Sequence, residues 1–223
     1  MSDPLPVTIP GEGGPVSGLL LRPTDARALL VFGHGAGAGM RHPFMEAVSR
    51  RLAERGVATL RYQFPYMERR QARTDSPAVA AATVRAACDV ARSEAPGLPL
   101  VAGGKSFGGR MTSTAQAEAP LPGVRGLIFF GFPLHPPKRP ATTRAEHLAR
   151  VTVPMLFLQG TRDDLADLQL IRGVTGELAT ATLHVVEGAD HSFAVLKRSG
   201  RAAGDVLDEL VATASSWIDQ LPR

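Results

Sequence analysis

The sequence predicts an α/β fold, a mostly parallel sheet with helices on both faces. Two observations predict it. Short, continuously apolar runs of strand length recur along the chain, as buried parallel strands require. Amphipathic or Ala-rich helical patterns separate them, which is the order of strands joined by crossover helices.

The elements follow in order. Residues 7–26, VTIPGEGGPVSGLLLRPTDA, read as an antiparallel hairpin rich in turn residues. ALLVFGH, from Ala28, is a buried strand ending at glycine, and HPFMEAVSRRLAERG is an amphipathic helix with Gly56 as its C-cap. VATLRYQF is the next strand. A long Ala-rich helix follows, with Ser76 as N-cap and Pro77 at its first position. LPLVAGG is a strand, and FGGRMTSTAQAEA opens a helix directly from the turn after it. GLIFFGF, VPMLFLQG and TLHVVEG are three further strands, and residues 201–221 close the chain as an amphipathic helix containing Trp217. The Pro-rich stretch 132–151 is the one long irregular insertion, too short for a second domain and expected to cover part of a pocket. Residues 1–223 are therefore expected to form a single domain.

Composition excludes several classes. Hydrophobic residues make up 44% of the chain and charged residues 21%, unlike disordered or fibrous proteins. The longest apolar runs are of core-strand length, so no membrane span is expected. The N-terminus has neither a basic start nor an apolar stretch, so a cytoplasmic location is the expectation. Cys88 is the sole cysteine, which rules out an internal disulfide. The net charge of +4 is scattered, and Arg69–Arg73 is the only dense basic cluster, with no interleaved aromatics. A solvated surface accounts for it, and no nucleic-acid partner is expected. The sequence assigns no oligomeric state.

The chemistry concentrates at VAGGKSFGG, residues 101–109. A phosphate-binding loop would need glycine five positions before Gly104, where Pro99 stands. The alternative, G-x-S-x-G between a strand and a helix, fits: Gly104 and Gly108 flank Ser106 on a turn sharp enough to present its hydroxyl. Lys105 and Arg110 beside it read as solvated or structural. A serine nucleophile needs a base and an acid that orients the base, on loops after later strands. His191, in GADHSF after a strand, is the candidate base. His184 lies inside a strand, and His135 and His147 fall in the Pro-rich insertion, ahead of any suitable acid. Asp163, three residues beyond Gly160, is the favoured acid. Adjacent Asp164 is expected to cap the next helix, and Asp167 to lie on that helix's surface. The oxyanion would be held by the backbone N–H of Phe107 and by that of Ala36 or Gly37 in FGHGAGAGM. That stretch loosely matches a dinucleotide fingerprint at Gly33, Gly35 and Ala38. The following strand ends without the acidic residue that would hold a ribose.

Taken together, GHGAGAGM, LRYQFPYME, GGKSFGGRM, GFPLHPP, LFLQGTRDDL and GADHSF resemble the α/β-hydrolase superfamily. More narrowly they resemble its dienelactone-hydrolase-like branch, which includes the hydrolase-like domain of non-specific-lethal complex subunit three. The resemblance runs from about Val7 to Trp217. It implies an α/β-hydrolase fold without a large cap domain and a Ser-Asp-His triad carried over to Ser106, Asp163 and His191, with neither metal nor organic cofactor. It also implies a small-molecule ester or acyl substrate. Dienelactone hydrolases proper use a cysteine nucleophile; here serine stands at that position, so lactone specificity does not carry over. The rival reading is a binding or scaffold protein that keeps the fold without turnover.

Overall fold

The computed structural model describes residues 3–11 and 13–222. Two N-terminal strands, β1 (Leu5–Ile9) and β2 (Val16–Leu21), form the expected hairpin. Then come β3 (Ala28–Gly33), α1 (Pro43–Ala53), β4 (Val57–Tyr62), the short α2 (Pro65–Glu68) and α3 (Pro77–Glu94). The second half holds β5 (Leu100–Lys105), α4 (Phe107–Glu118), β6 (Val124–Phe130), β7 (Met155–Gly160), α5 (Leu168–Gly176), β8 (Ala181–Val186) and α6 (Ala203–Asp219). One eight-stranded sheet has the order β1-β2-β4-β3-β5-β6-β7-β8, antiparallel at the hairpin and parallel from β4 to β8.

Strand pleating sorts the core into two layers. Leu29, Val31, Ala102, Leu127, Phe129 and Phe157 face α3, α4 and α5. Leu30, Phe32, Val101, Ile128, Phe130 and Leu158 face α1 and α6. Burial on both faces explains why these strands read as unbroken apolar runs. Local signals hold as well. Ser76 caps α3 by accepting from the Val79 N–H at 3.4 Å, with Pro77 in the first turn. Gly56 sits past the end of α1 with φ +69°, while the capping residue is Glu54.

The topology positions the site. The chain passes from β3 outward to β4 and then returns to lay β5 on β3's other side. The loops leaving β3 and β5 therefore diverge at a switch point, where a crevice opens at the carboxyl ends of the strands. The Pro-rich insertion departs from expectation. Its residues Thr143–Arg150 form a 3-10 helix that packs on α4, tied by His147 Nε2 to Ser113 Oγ at 2.7 Å. Among the described residues, none of the insertion lines the cavity at Ser106. Burial of Ala145 and Leu148 in the α4-side core draws it to that face.

Candidate active site

Ser106 joins β5 to α4 without an intervening loop. Its backbone lies at φ +49°, ψ −113°, a conformation that a side-chain-bearing residue holds at a cost of about 1–3 kcal/mol. Glycines make the turn possible. A Cβ on Gly104 would sit 2.5 Å from the Gly33 oxygen, and one on Gly108 would overlap the Gly33 carbonyl itself. The Ser106 N–H donates to the Phe130 carbonyl at 3.2 Å, and its carbonyl accepts from Arg110 in the first turn of α4.

Three side chains from three strand ends meet here. With the proton on Nδ1, the His191 ring donates to Asp163 Oδ2 at 2.8 Å and accepts the Ser106 hydroxyl at Nε2, 2.9 Å away. The Asp163 side chain has no solvent exposure, whereas that of His191 keeps 19%. Asp163 Oδ1 accepts from the Leu165 N–H at 2.8 Å, and Oδ2 also accepts from Gln159 Nε2 at 2.5 Å. Gln159 is fixed in turn by the Phe132 N–H at 3.0 Å. Asp190 shapes the His191 turn, its Oδ1 accepting from the Ser192 and Ala194 N–H groups at 2.8 and 2.9 Å. Sequence reasoning missed both supporting residues. Asp190 was visible as an acidic residue in a Gly-containing turn, whereas nothing local distinguishes Gln159.

Asp164 is exposed and does not cap α5. Residues 161–166 form a turn closed by Asp163, so the helix begins only at Leu168, and Asp167 caps it by accepting from Gln169 and Leu170 N–H groups at 2.9 and 3.1 Å. The expected capping role thus belongs to Asp167.

The loop after β3 faces Ser106. His34 is fully buried beneath it; Nδ1–H donates to the Gly35 carbonyl at 2.8 Å and Nε2 accepts from the Phe64 N–H at 3.1 Å. Burial holds this histidine neutral, its pKa pushed down to about 4 against the opposing effect of the Gly35 carbonyl. The Gly37 N–H donates to the Tyr66 hydroxyl at 3.0 Å. Ala36 is exposed and lines the cavity, and Phe107 is the first residue of α4.

A cavity of about 300 Å³ opens over Ser106 and His191, walled by Ala36, His42, Phe44, Met45 and Leu165. A larger hollow of about 620 Å³ lies against the hairpin, lined by Thr8, Ser17 and Gln63 among others, and reaches none of Ser106, Asp163 and His191. Among the described residues no group of three His, Cys, Asp or Glu could hold a metal, and no helix is long and apolar enough to cross a membrane.

A family model described as an alpha/beta hydrolase domain matches residues 26–219. The chain belongs to that family. Its fold is dienelactone-hydrolase-like. A dienelactone hydrolase from Anabaena variabilis superposes with a TM-score of 0.77 at 22% identity, covering 100% of both chains. An α/β serine hydrolase without a lid from Xanthomonas campestris gives 0.75 at 21% identity, over 100% of this chain and 97% of that one. Est1E from Butyrivibrio proteoclasticus, solved with ferulic acid, gives 0.73 at 17% identity, over 96% and 100%.

Proposed function

We propose that residues 1–223 act as one serine hydrolase domain that cleaves a carboxylic ester or thioester through an acyl-enzyme on Ser106. The observation that carries this reading is the hydrogen-bonded chain from Ser106 Oγ to His191 Nε2 at 2.9 Å and from His191 Nδ1 to Asp163 Oδ2 at 2.8 Å. Geometry of this kind lets a neutral imidazole take the serine proton while a buried carboxylate steadies the resulting imidazolium.

In the reaction, Oγ attacks the substrate carbonyl carbon as its proton passes to His191 Nε2. The tetrahedral oxyanion is held by the Phe107 and Ala36 N–H groups. Ala36 is favoured over Gly37 because the Gly37 N–H is already given to Tyr66. Collapse breaks the bond to the leaving oxygen or sulfur, which receives the proton from His191. Water then gives its proton to His191 and attacks the acyl carbon, releasing the acid and restoring Ser106. The small cavity with Phe44, Met45 and Leu165 in its wall suits a short acyl or leaving group. The dienelactone hydrolase and the lidless serine hydrolase that share its fold support the same class of chemistry.

A fluorophosphonate reagent tests the reading. The native protein should be labelled, Ser106→Ala should not, and p-nitrophenyl acetate should be turned over by the native protein alone. A folded native protein that is neither labelled nor active would leave the scaffold reading in its place.

A further inference from the structure

Lys105, the last residue of β5, stands beside Ser106 in sequence but does different work. The pleat sends its side chain to the α1 and α6 face, the face that Val101 joins from the same strand. There the ammonium donates to the backbone carbonyl of His191 at 2.7 Å and lies 5.5 Å from the Phe193 ring centroid. Among the described residues it forms no ion pair. Gly131, at φ +70°, makes room for the contact: a Cβ there would lie 3.1 Å from Lys105 Nζ and 3.5 Å from the His191 ring. Burial, opposed by the charges of Asp163 and Asp190, draws the ammonium down to about 8.

Two consecutive residues, the last of β5 and the one that joins it to α4, thus hold a single residue of a distant loop. Ser106 meets the ring of His191, and Lys105 meets its backbone. The ring's two hydrogen bonds fix its plane, but they do not fix where the loop carries it. We propose that Lys105 is a positioning residue that sets the depth of His191 over Ser106. This inference rests on the hydrolase reading of the site. An apolar residue at 105 would leave the His191 carbonyl without its donor and let the loop drift outward. A displacement of about 1 Å at a reacting centre costs on the order of 10²-fold in rate.

The test compares native protein with Lys105→Met, checked for native-like melting. With p-nitrophenyl acetate, kcat should fall about 10²-fold while KM stays close to native. The low-field proton resonance of His191 Nδ1 should shift or broaden. Lys105→Cys alkylated with 2-bromoethylamine rebuilds a side chain of nearly the same reach, and should restore kcat and the resonance. Cys88 does not interfere, since it is buried and its thiol is pushed up to about 12. A folded Lys105→Met protein with native kcat and native resonance overturns the proposal, as does a loss confined to KM or a failure of alkylation to restore either readout. The two readings fail separately: absent labelling and turnover in the native protein strikes the hydrolase reading, while the resonance still decides the role of Lys105.

Discussion

Two Ser–His contacts stand among the described residues, and their difference is instructive. Ser106 lies 2.9 Å from His191, and Ser113, two turns along the same helix, lies 2.7 Å from His147. By distance alone the second pair is the better one. Everything around it differs. The Ser113 hydroxyl has the Arg110 carbonyl to donate to at 2.9 Å, so His147 serves it as a donor rather than a base. No carboxylate hydrogen-bonds His147 among the described residues, and burial, reinforced by Arg110 and Arg150, pushes it down to about 4. Ser113 sits within regular helix, whereas Ser106 occupies a left-handed turn at its start. A serine's neighbours, rather than its nearest histidine, decide whether it can act as a nucleophile.

The sharpest way to separate the pairs is to delete each hydroxyl. Ser106→Ala should lower kcat by about 10⁶-fold and abolish fluorophosphonate labelling. The corresponding change at Ser113 should leave both intact. Equal losses would erase the distinction. Next in size is Asp163→Asn, which removes the carboxylate that His191 has and His147 lacks. Hydrolysis should drop by about 10⁴-fold, with folding retained by circular dichroism; near-native turnover would remove Asp163 from the site.

A smaller effect tests the histidines that stay neutral. His34 and His147 hold folded pKa values of about 4, below the unfolded value of 6.5. The unfolded chain therefore binds more protons between those limits. The contribution of these two histidines should be constant above pH 6.5 and fall as pH drops toward 4, with fully buried His34 contributing roughly 3 kcal/mol of that loss. Urea midpoints from pH 7 to pH 4 would measure it, and His147→Gln should flatten part of the slope. A slope unchanged in that variant would show that His147 titrates normally. The smallest effect belongs to Ser113→Ala, at about 1 kcal/mol of stability for the lost tie to the insertion, read by urea denaturation; a change in kcat would contradict its structural role.

Much of this arrangement was legible in the residues. The parallel strands announce themselves because both of their faces are buried, leaving no polar alternation to obscure them. Ser106, Asp163 and His191 could be assembled on paper because each follows the carboxyl end of a strand. What escaped depended on distances between remote segments. Gln159 reads as an ordinary strand residue until the Asp163 carboxylate folds back on it, and Lys105 reads as solvated until the His191 loop arrives. The Pro-rich insertion has no periodicity to say which face it covers. The cap of α5 was misplaced from Asp167 to Asp164 because a side-chain turn at Asp163 lengthens the loop.

The contact between Gly33 and Gly108 has a consequence for inheritance. Any single-base change in a glycine codon that still encodes a residue, other than a silent one, adds at least one carbon. At Gly108 that carbon would fall on the Gly33 carbonyl, and at Gly104 it would press against the same group. No one-step variant at either codon avoids the overlap, so any such change must displace the turn that presents Ser106.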